Sequence, residues 1–129
     1  MPIDPVSAGS ARDVATDPGH FVRVHDTGGD RPVLVLVHGY TGSSHDWSGV
    51  LESLAATHRV VTLDHRGHGD SSNHGHPAAY TFDQLLADFE RVIDDLGVAH
   101  IHLLGHSMGG VIAMRYVLAR PERVASLVL

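Results

Sequence analysis

A tight strand–turn–helix connection is encoded in the segment Ile101–Gly110, which reads IHLLGHSMGG. An apolar run typical of a buried strand ends at Gly105, and a run of small and apolar residues typical of a helix follows from Gly109. A Gly-x-Ser-x-Gly pattern in this setting is typical of a sharp, strained turn that exposes its serine hydroxyl. Glycine is needed on either side of Ser107, because a Cβ there would collide with neighbouring backbone. The pattern therefore predicts a nucleophile at Ser107.

The composition limits the classes of protein to which the chain can belong. Its 129 residues suffice for one domain with a buried core, and its 43% hydrophobic and 19% charged residues are ordinary for a globular protein. A net charge of −6 with interspersed signs argues against a nucleic-acid partner. The apolar runs are too short for a membrane helix, and a chain without cysteine forms neither disulfides nor thiolate metal sites.

Residues 1–19 differ in composition from the rest of the chain. They are rich in Pro, Ala, Ser and Asp, without the basic and apolar regions of a secretory signal. We predict that they form a flexible leader. Residues 20–129 are predicted to form part of a single domain, and a cytoplasmic location is expected.

Apolar runs of strand length alternate with amphipathic runs of helix length after the leader. The run 33–37, VLVLV, is apolar throughout, as expected of a parallel strand covered on both faces. Such alternation predicts an α/β fold with a doubly wound, mostly parallel sheet and flanking helices. Strands are predicted at 21–25 (an edge strand), 33–37, 59–63, 101–104 and 124–129, and helices at 46–56, 82–96 and 109–119.

The helix predicted at 82–96 has clear signals at both ends. Thr81 and Gln84 have the spacing of a capping box, in which each side chain satisfies a backbone N–H of the other. An apolar stripe at helical spacing follows, and Gly97 provides a left-handed stop. This helix is the best defined element of the sequence.

Two further segments precede the serine turn in a fixed order. His38-Gly39 ends the first buried strand, and the run 64–71, DHRGHGDS, follows the second. Together with the turn at 105–109 they resemble the α/β-hydrolase fold superfamily, in particular its single-domain esterase, lipase and C–C hydrolase-like members. The resemblance covers residues 21–129 and corresponds to the N-terminal half or so of a typical member.

The resemblance implies roles for three residues. Ser107 would attack the substrate carbonyl and form an acyl-enzyme intermediate. The backbone N–H groups of Met108 and Tyr40 would donate to the developing oxyanion, each typically worth about 3–4 kcal/mol of transition-state stabilisation. The implied substrate is a small ester or related acyl compound, and neither a cofactor nor a metal ion is implied. The run 64–71 would shape the turn below the site.

The resemblance also implies parts that this sequence does not contain. In the family the catalytic acid and then the histidine follow the serine along the chain, whereas all twelve histidines here precede Ser107. We therefore expect weak or no activity and no cap to select the substrate. We also expect the strand at 124–129 to present an unpaired edge through which copies of the chain self-associate.

Several residues have a plainer interpretation beside the functional one. Ser107 could simply cap a helix. His38 and His106 are candidates for a substitute base, but we interpret His38 as a loop-organising residue and His106 as part of the turn. The four histidines of the loop 65–76 are at loop-like spacing and have no cysteine partners, which disfavours a metal site. Trp47 fits core packing better than a substrate contact.

Three functions stay open from the sequence. The first is a carboxyl-ester or related acyl hydrolase. Family members that are dehalogenases or epoxide hydrolases place Asp at the turn, so Ser107 argues against both, whereas perhydrolases, C–C hydrolases and proline iminopeptidase-like amidases stay possible. The second is a ligand-binding or signalling protein that keeps the pocket and turns over slowly or not at all. The third is a catalytically dead module.

Overall fold

The computed structural model describes residues 9–129, which form one six-stranded sheet flanked by helices. The strand order is β1-β2-β4-β3-β5-β6. Strands β4, β3, β5 and β6 are parallel to one another, and β1 and β2 form an antiparallel hairpin that pairs with β4 in the antiparallel sense. The predicted mostly parallel α/β sheet is thus confirmed. The strands are β1 Ser10–Ala15, β2 Phe21–Asp26, β3 Val33–Val37, β4 Arg59–Leu63, β5 Ile101–Gly105 and β6 Val124–Val128.

Three α-helices and three 3-10 turns connect these strands. The helices are α1 Leu51–Ala55, α2 Phe82–Leu96 and α3 Met108–Ala119, and the 3-10 turns are Ser44–Trp47, Pro77–Ala79 and Pro121–Arg123. The capping box of Thr81 with Gln84 and the left-handed Gly97 at φ 66° both form as predicted. The single helix predicted at 46–56 is wrong, because Gly49, a poor helix former, lies between the first 3-10 turn and α1.

The prediction of a flexible leader is wrong for residues 10–15, which form β1, and residues 1–8 lie outside the described part. All six residues of β1 pair with β2, so β2 is an interior strand and not the predicted edge strand. Arg12 contacts Asp26 at 3.2 Å across this pair, and only Val14 of the strand is a buried apolar residue. With ion pairs in place of alternating apolar side chains, β1 lacks the usual strand signal.

The core lies on both faces of β3, all five of whose residues are buried. Val35 and Val37 face the larger cluster under α2 and α3, where the rings of Phe89 and Tyr116 meet edge to face at 5.1 Å. The opposite face packs Leu34 and Leu36 under α1. Strand β3 is therefore fixed from both sides, and the loop that follows it starts from a rigid point.

The parallel strands place three loops at one edge of the sheet. The carboxyl ends of β4, β3 and β5 are neighbours, so the loops that begin at Asp64, His38 and His106 meet there. In open α/β sheets this edge is where ligands bind. Within residues 9–129, no helix has both the length and the apolar character needed to cross a membrane.

Candidate active site

Ser107 lies on the turn between β5 and α3 in a strained backbone conformation. Its φ and ψ are 55° and −120°, and the residue is exposed. A non-glycine residue in such a sparsely populated region carries about 1–3 kcal/mol of strain and persists only where the surroundings impose it. The strained turn predicted for Ser107 is present.

Close backbone packing imposes this turn. A Cβ on Gly105 would lie 2.7 Å from the carbonyl oxygen of Gly109, and a Cβ on Gly109 would overlap the carbonyl oxygens of Val37 and His38. The N–H of His106 donates to the Val37 carbonyl at 3.0 Å. The turn is thus pressed against the end of β3, as the glycine spacing predicted, and His106 belongs to it structurally.

Tyr40 and Met108 lie on two sides of the same pocket. Met108 begins α3, and Tyr40 follows His38-Gly39 after β3. A Cβ on Gly39 would lie 3.2 Å from the Cβ of Ser107, so this loop passes directly beside the serine. The first N–H groups of a helix have no partner within it. No acceptor is recorded among residues 9–129 for the backbone N–H of either Tyr40 or Met108.

The pocket has a volume of about 570 Å³, and four segments contribute to its wall. Tyr40 comes from the loop after β3 and His68 from the loop after β4, whereas Pro77, Tyr80 and Leu85 come from the approach to and first turns of α2. The contribution of the run 77–80 to the pocket was not predicted, because no local pattern in this run indicates which strand end it faces. Leu85 belongs to the apolar stripe of α2 and was predicted only as core.

His38 is fully buried and both of its ring nitrogens are occupied. Its Nδ1 donates to the carbonyl of Gly39 at 2.7 Å, and its Nε2 accepts from the backbone N–H of His65 at 3.0 Å. Burial lowers the pKa of His38, so the ring is held neutral. A ring without a free lone pair cannot remove a proton from Ser107. The interpretation of His38 as a loop-organising residue is confirmed.

His65 completes the link between the loops after β3 and β4. Its Nε2 donates to the carbonyl of His38 at 3.0 Å, and the two rings meet edge to face with centroids 4.4 Å apart. Burial lowers the pKa of His65 to about 3. Two neutral imidazoles therefore join the two loops by reciprocal hydrogen bonds.

The loop after β4 is anchored by buried polar groups. The guanidinium of Arg66 donates to both oxygens of Asp88 on α2, and also to the Ala79 carbonyl at 2.8 Å. The Asp64 carboxylate accepts from the N–H of Ser44 at 2.7 Å. These contacts support the prediction that the run 64–71 shapes the turn at the site.

One group of described residues has the spacing of metal ligands. His25, Asp64 and Asp70 each offer an atom within 4.8 Å of the others. However, the Asp64 oxygens accept from the N–H groups of Ser44 and Asp70, and the Arg23 guanidinium lies 3.8 Å from Asp70. Hydrogen bonds and a nearby cation account for this group, and we assign no metal ion to it.

Trp47 is half-buried against the apolar cluster on the α1 face of the sheet. It packs against the cluster that contains Leu34 and Leu51 and does not line the pocket. The interpretation of Trp47 as a core residue is confirmed.

Comparison with known proteins places this arrangement in a family. Residues 32–129 match the family model described as the alpha/beta hydrolase fold. The chain is 34% identical over 110 residues to epoxide hydrolase 4 of Mus musculus, covering 85% of this chain and 30% of that protein. It is 38% identical over 109 residues to a putative carbamate hydrolase, RutD, of Azorhizobium caulinodans, covering 84% and 39%.

Solved structures agree with this result. An alpha/beta hydrolase from Novosphingobium aromaticivorans has a TM-score of 0.86 at 28% identity over 93% of this chain and 43% of that one. An epoxide hydrolase from Vigna radiata has a TM-score of 0.83 at 27% identity, over 95% and 39%. The chain spans 30% and 39% of the two curated relatives named above. The fold, the strained serine turn and these matches show that the chain belongs to the α/β-hydrolase fold family.

Proposed function

We propose that this chain carries the nucleophile and oxyanion-binding part of a serine acyl hydrolase that acts on a carboxyl ester or related acyl compound. The observation that supports the proposal is Ser107, exposed at φ 55° and ψ −120° at the start of α3. Tyr40 and Met108, whose N–H groups would bind the oxyanion, line the pocket beside it.

The proposed reaction has two steps. Ser107 Oγ attacks the carbonyl carbon as its proton passes to a base, and the carbonyl oxygen takes up negative charge between the two N–H donors. The C–O bond to the leaving group then breaks, the leaving group takes up the proton, and an acyl-serine ester remains, which water hydrolyses. Each N–H donor would contribute about 3–4 kcal/mol.

The base is the part that the described residues do not supply. No hydrogen bond is recorded among residues 9–129 between Ser107 Oγ and a histidine or carboxylate, and the nitrogens of His38 are occupied. Removing the base from such a site lowers turnover by about a millionfold, while binding and the oxyanion hole alone leave about 10³–10⁴ over water. We therefore propose that this chain by itself turns over weakly or not at all.

The chemistry of Ser107 favours acyl transfer over epoxide opening, although epoxide hydrolases are among the relatives. A serine alkoxide that opens an epoxide forms an ether, which has no carbonyl for water to attack, so the enzyme would stay alkylated. A carboxylate nucleophile would instead form a hydrolysable ester. Other relatives are named carbamate hydrolase and, in Lactobacillus helveticus, proline iminopeptidase. Carbamates and peptides both present a carbonyl to a serine.

A second candidate function is a ligand-binding or signalling protein that keeps the hydrolase pocket. The observation that favours it is the same lack of a base in contact with Ser107 among residues 9–129. Such a protein would react once with an electrophile, or bind acyl compounds without cleaving them. Stoichiometric labelling without repeated turnover in the full-length protein would distinguish it from an enzyme.

Fluorophosphonate labelling of the purified chain, with p-nitrophenyl acetate turnover in parallel, tests the proposal. Because the described residues supply no base, we expect slow covalent labelling of wild type without repeated turnover, and no labelling of Ser107→Ala. Ser126→Ala is the matched control, because Ser126 is also exposed and contacts a histidine, with its Oγ 2.6 Å from His102 Nδ1. Labelling that persists in Ser107→Ala, or is lost in Ser126→Ala, would contradict the assignment of the nucleophile.

A further inference from the structure

His68 lies in the wall of the pocket with its ring held in one orientation. Its Nδ1 lies 2.9 Å from the carbonyl oxygen of Arg66. A carbonyl only accepts hydrogen bonds, so Nδ1 carries the hydrogen and the Nε2 of the neutral ring is an acceptor. Among residues 9–129, no group donates to this Nε2, and it is not a buried atom. Its lone pair is therefore open to a molecule in the pocket.

The backbone around His68 is rigid. Its N–H donates to the His65 carbonyl at 2.9 Å, and its own carbonyl accepts from Ser71 at 3.0 Å. Gly67 and Gly69 on either side adopt φ of 72° and 48°, and a Cβ on Gly67 would come within 2.6 Å of the Tyr80 ring. Because the His68 ring is already held in one orientation, binding a ligand through its acceptor nitrogen costs little side-chain entropy.

The acceptor lies in the same pocket as the expected oxyanion donors, because Tyr40 and Met108 also line its wall. The ring centroid of His68 is 6.1 Å from that of Tyr40 and 5.2 Å from that of His38. Pro77, Leu85 and other apolar groups contribute much of the remaining wall. A carbonyl compound bound at the N–H groups of Tyr40 and Met108 would thus share the pocket with one fixed acceptor.

We propose that His68 Nε2 accepts a hydrogen bond from an N–H or O–H group beside the scissile carbonyl, which makes His68 a specificity-determining residue. The site would then prefer carbamates, amides and hydroxy esters to simple alkyl esters. A site with a hydrogen-bond acceptor for a substrate N–H or O–H binds an analogue without that donor more weakly, because the acceptor is then left unpaired. The inference rests on the proposed function, because the carbonyl is taken to bind at the N–H groups of Tyr40 and Met108.

Two compounds of nearly equal shape test this preference. Phenyl N-methylcarbamate and phenyl propanoate differ by one N–H in place of a CH₂. We would titrate both into the Ser107→Ala chain, which cannot be acylated, and follow binding by NMR. One neutral hydrogen bond corresponds to about 3- to 10-fold tighter binding of the carbamate. The ¹⁵N resonance of His68 Nε2 should also shift with the carbamate and not with the propanoate.

Two substitutions at the same position separate recognition from loop structure. His68→Gln brings an amide oxygen near the position of Nε2 and should keep the preference. His68→Asn retains an amide N–H near the position of Nδ1, which can still donate to the Arg66 carbonyl, but removes the distal acceptor and should abolish the preference. Both are made in the Ser107→Ala background, with their thermal unfolding measured alongside.

Equal binding of the two compounds, or a preference that His68→Asn leaves unchanged, would overturn the proposal. Failure of the proposed function has a different signature. Fluorophosphonate would then label Ser107→Ala as strongly as wild type, while the preference for the carbamate in Ser107→Ala persisted.

Discussion

The guanidinium of Arg66 and the carboxylate of Asp88 form a buried ion pair with two hydrogen bonds, at 2.7 and 2.8 Å. Their side chains are 3% and 5% exposed. The pair joins the loop after β4 to α2. This loop contributes to the pocket wall, so the ion pair fixes that part of the wall to the helix. The hydrogen bonds that Arg66 donates to Asp88 raise the pKa of Arg66, outweighing the effect of burial.

Removing one partner of this pair should strongly destabilise the fold. Asp88→Ala leaves the buried guanidinium with only the half-exposed Asp17, 3.1 Å away, as counter-charge. We expect the free energy of unfolding in urea to fall by about 3 kcal/mol. Asp83→Ala is the matched control on the same helix, because Asp83 is 92% exposed in its pair with Arg115. Its loss should stay below about 1 kcal/mol. Equal effects of the two substitutions would refute the anchoring role.

The turn at Ser107 should be intolerant of a side chain at Gly109. Gly109→Ala forces a Cβ into the Val37 carbonyl, and we expect a loss of about 3 kcal/mol or more. Gly110→Ala is the control, because its Cβ would meet its neighbours at ordinary van der Waals distances, with the Leu129 side chain at 3.4 Å and the Gly105 carbonyl oxygen at 3.5 Å. That change should be neutral or stabilising by up to about 1 kcal/mol. Thermal unfolding of both variants checks the prediction, and similar melting temperatures would show that the turn is not tightly packed.

The strain at Ser107 should be released by glycine. Ser107→Gly removes the Cβ from a residue at φ 55°, so we expect it to stabilise the chain by about 1–2 kcal/mol while abolishing labelling. Ser107→Ala keeps the Cβ and should abolish labelling without this gain. If both variants melt at the temperature of wild type, the turn is relaxed and the strain argument is wrong.

The buried histidine pair should make stability depend on pH near neutrality. The pKa of His65 is lowered by burial to about 3 from an ordinary value of 6.5. The folded state therefore resists protonation, and stability present above about pH 6.5 should be lost as the pH falls from there towards 3. The slope for one such site is about 1.4 kcal/mol per pH unit.

His65→Gln should flatten this part of the profile of unfolding free energy against pH. Substitution of the exposed His45 should leave the slope unchanged. A wild-type profile that is level between pH 6.5 and 4 would contradict the neutral pair.

Asp26 should dominate the profile at lower pH. Burial raises the pKa of this carboxyl, but hydrogen bonds from Arg59, Gly28 and Arg12 outweigh it and hold the pKa at about 2. A carboxyl with a depressed pKa stabilises the fold above its unfolded value, near 4, and loses that contribution as the pH falls through about 2. Asp26→Asn should remove about 2 kcal/mol of acid-dependent stability, measured by urea unfolding at pH 5 and pH 2.5. Identical slopes in both proteins would exclude the assignment.

The parts of the structure that were predictable are those with a local signal. Val33–Val37 is apolar on both faces, α2 has its capping box and its glycine stop, and the glycines around Ser107 mark the turn. Each of these features depends on residues close together in the chain. Because β3, β4 and β5 are neighbouring parallel strands, the loops that follow them lie at the same edge of the sheet.

The parts that escaped prediction depend on contacts between distant residues. Strand β1 is held by ion pairs such as Arg12 with Asp26. Because its residues do not alternate between apolar and polar, the sequence pattern does not indicate a strand there. The sequence identifies His68 only as one of the histidines of the loop 65–76. The proposed role of His68 as an acceptor depends on its contact with the Arg66 carbonyl and on the four segments that meet at the pocket. Both features depend on contacts between residues that are far apart in the chain.

The carbonyl of Val37 has a mechanical consequence for the site. It accepts from the N–H of His106 and rests against Gly109, while its own strand continues through His38-Gly39 to Tyr40. A single peptide group at the end of β3 therefore fixes the position of both the serine turn and the loop that carries the Tyr40 N–H. When the sheet flexes with temperature, the Ser107 hydroxyl and the Tyr40 N–H should be displaced together, so that the distance between them varies less than the position of either.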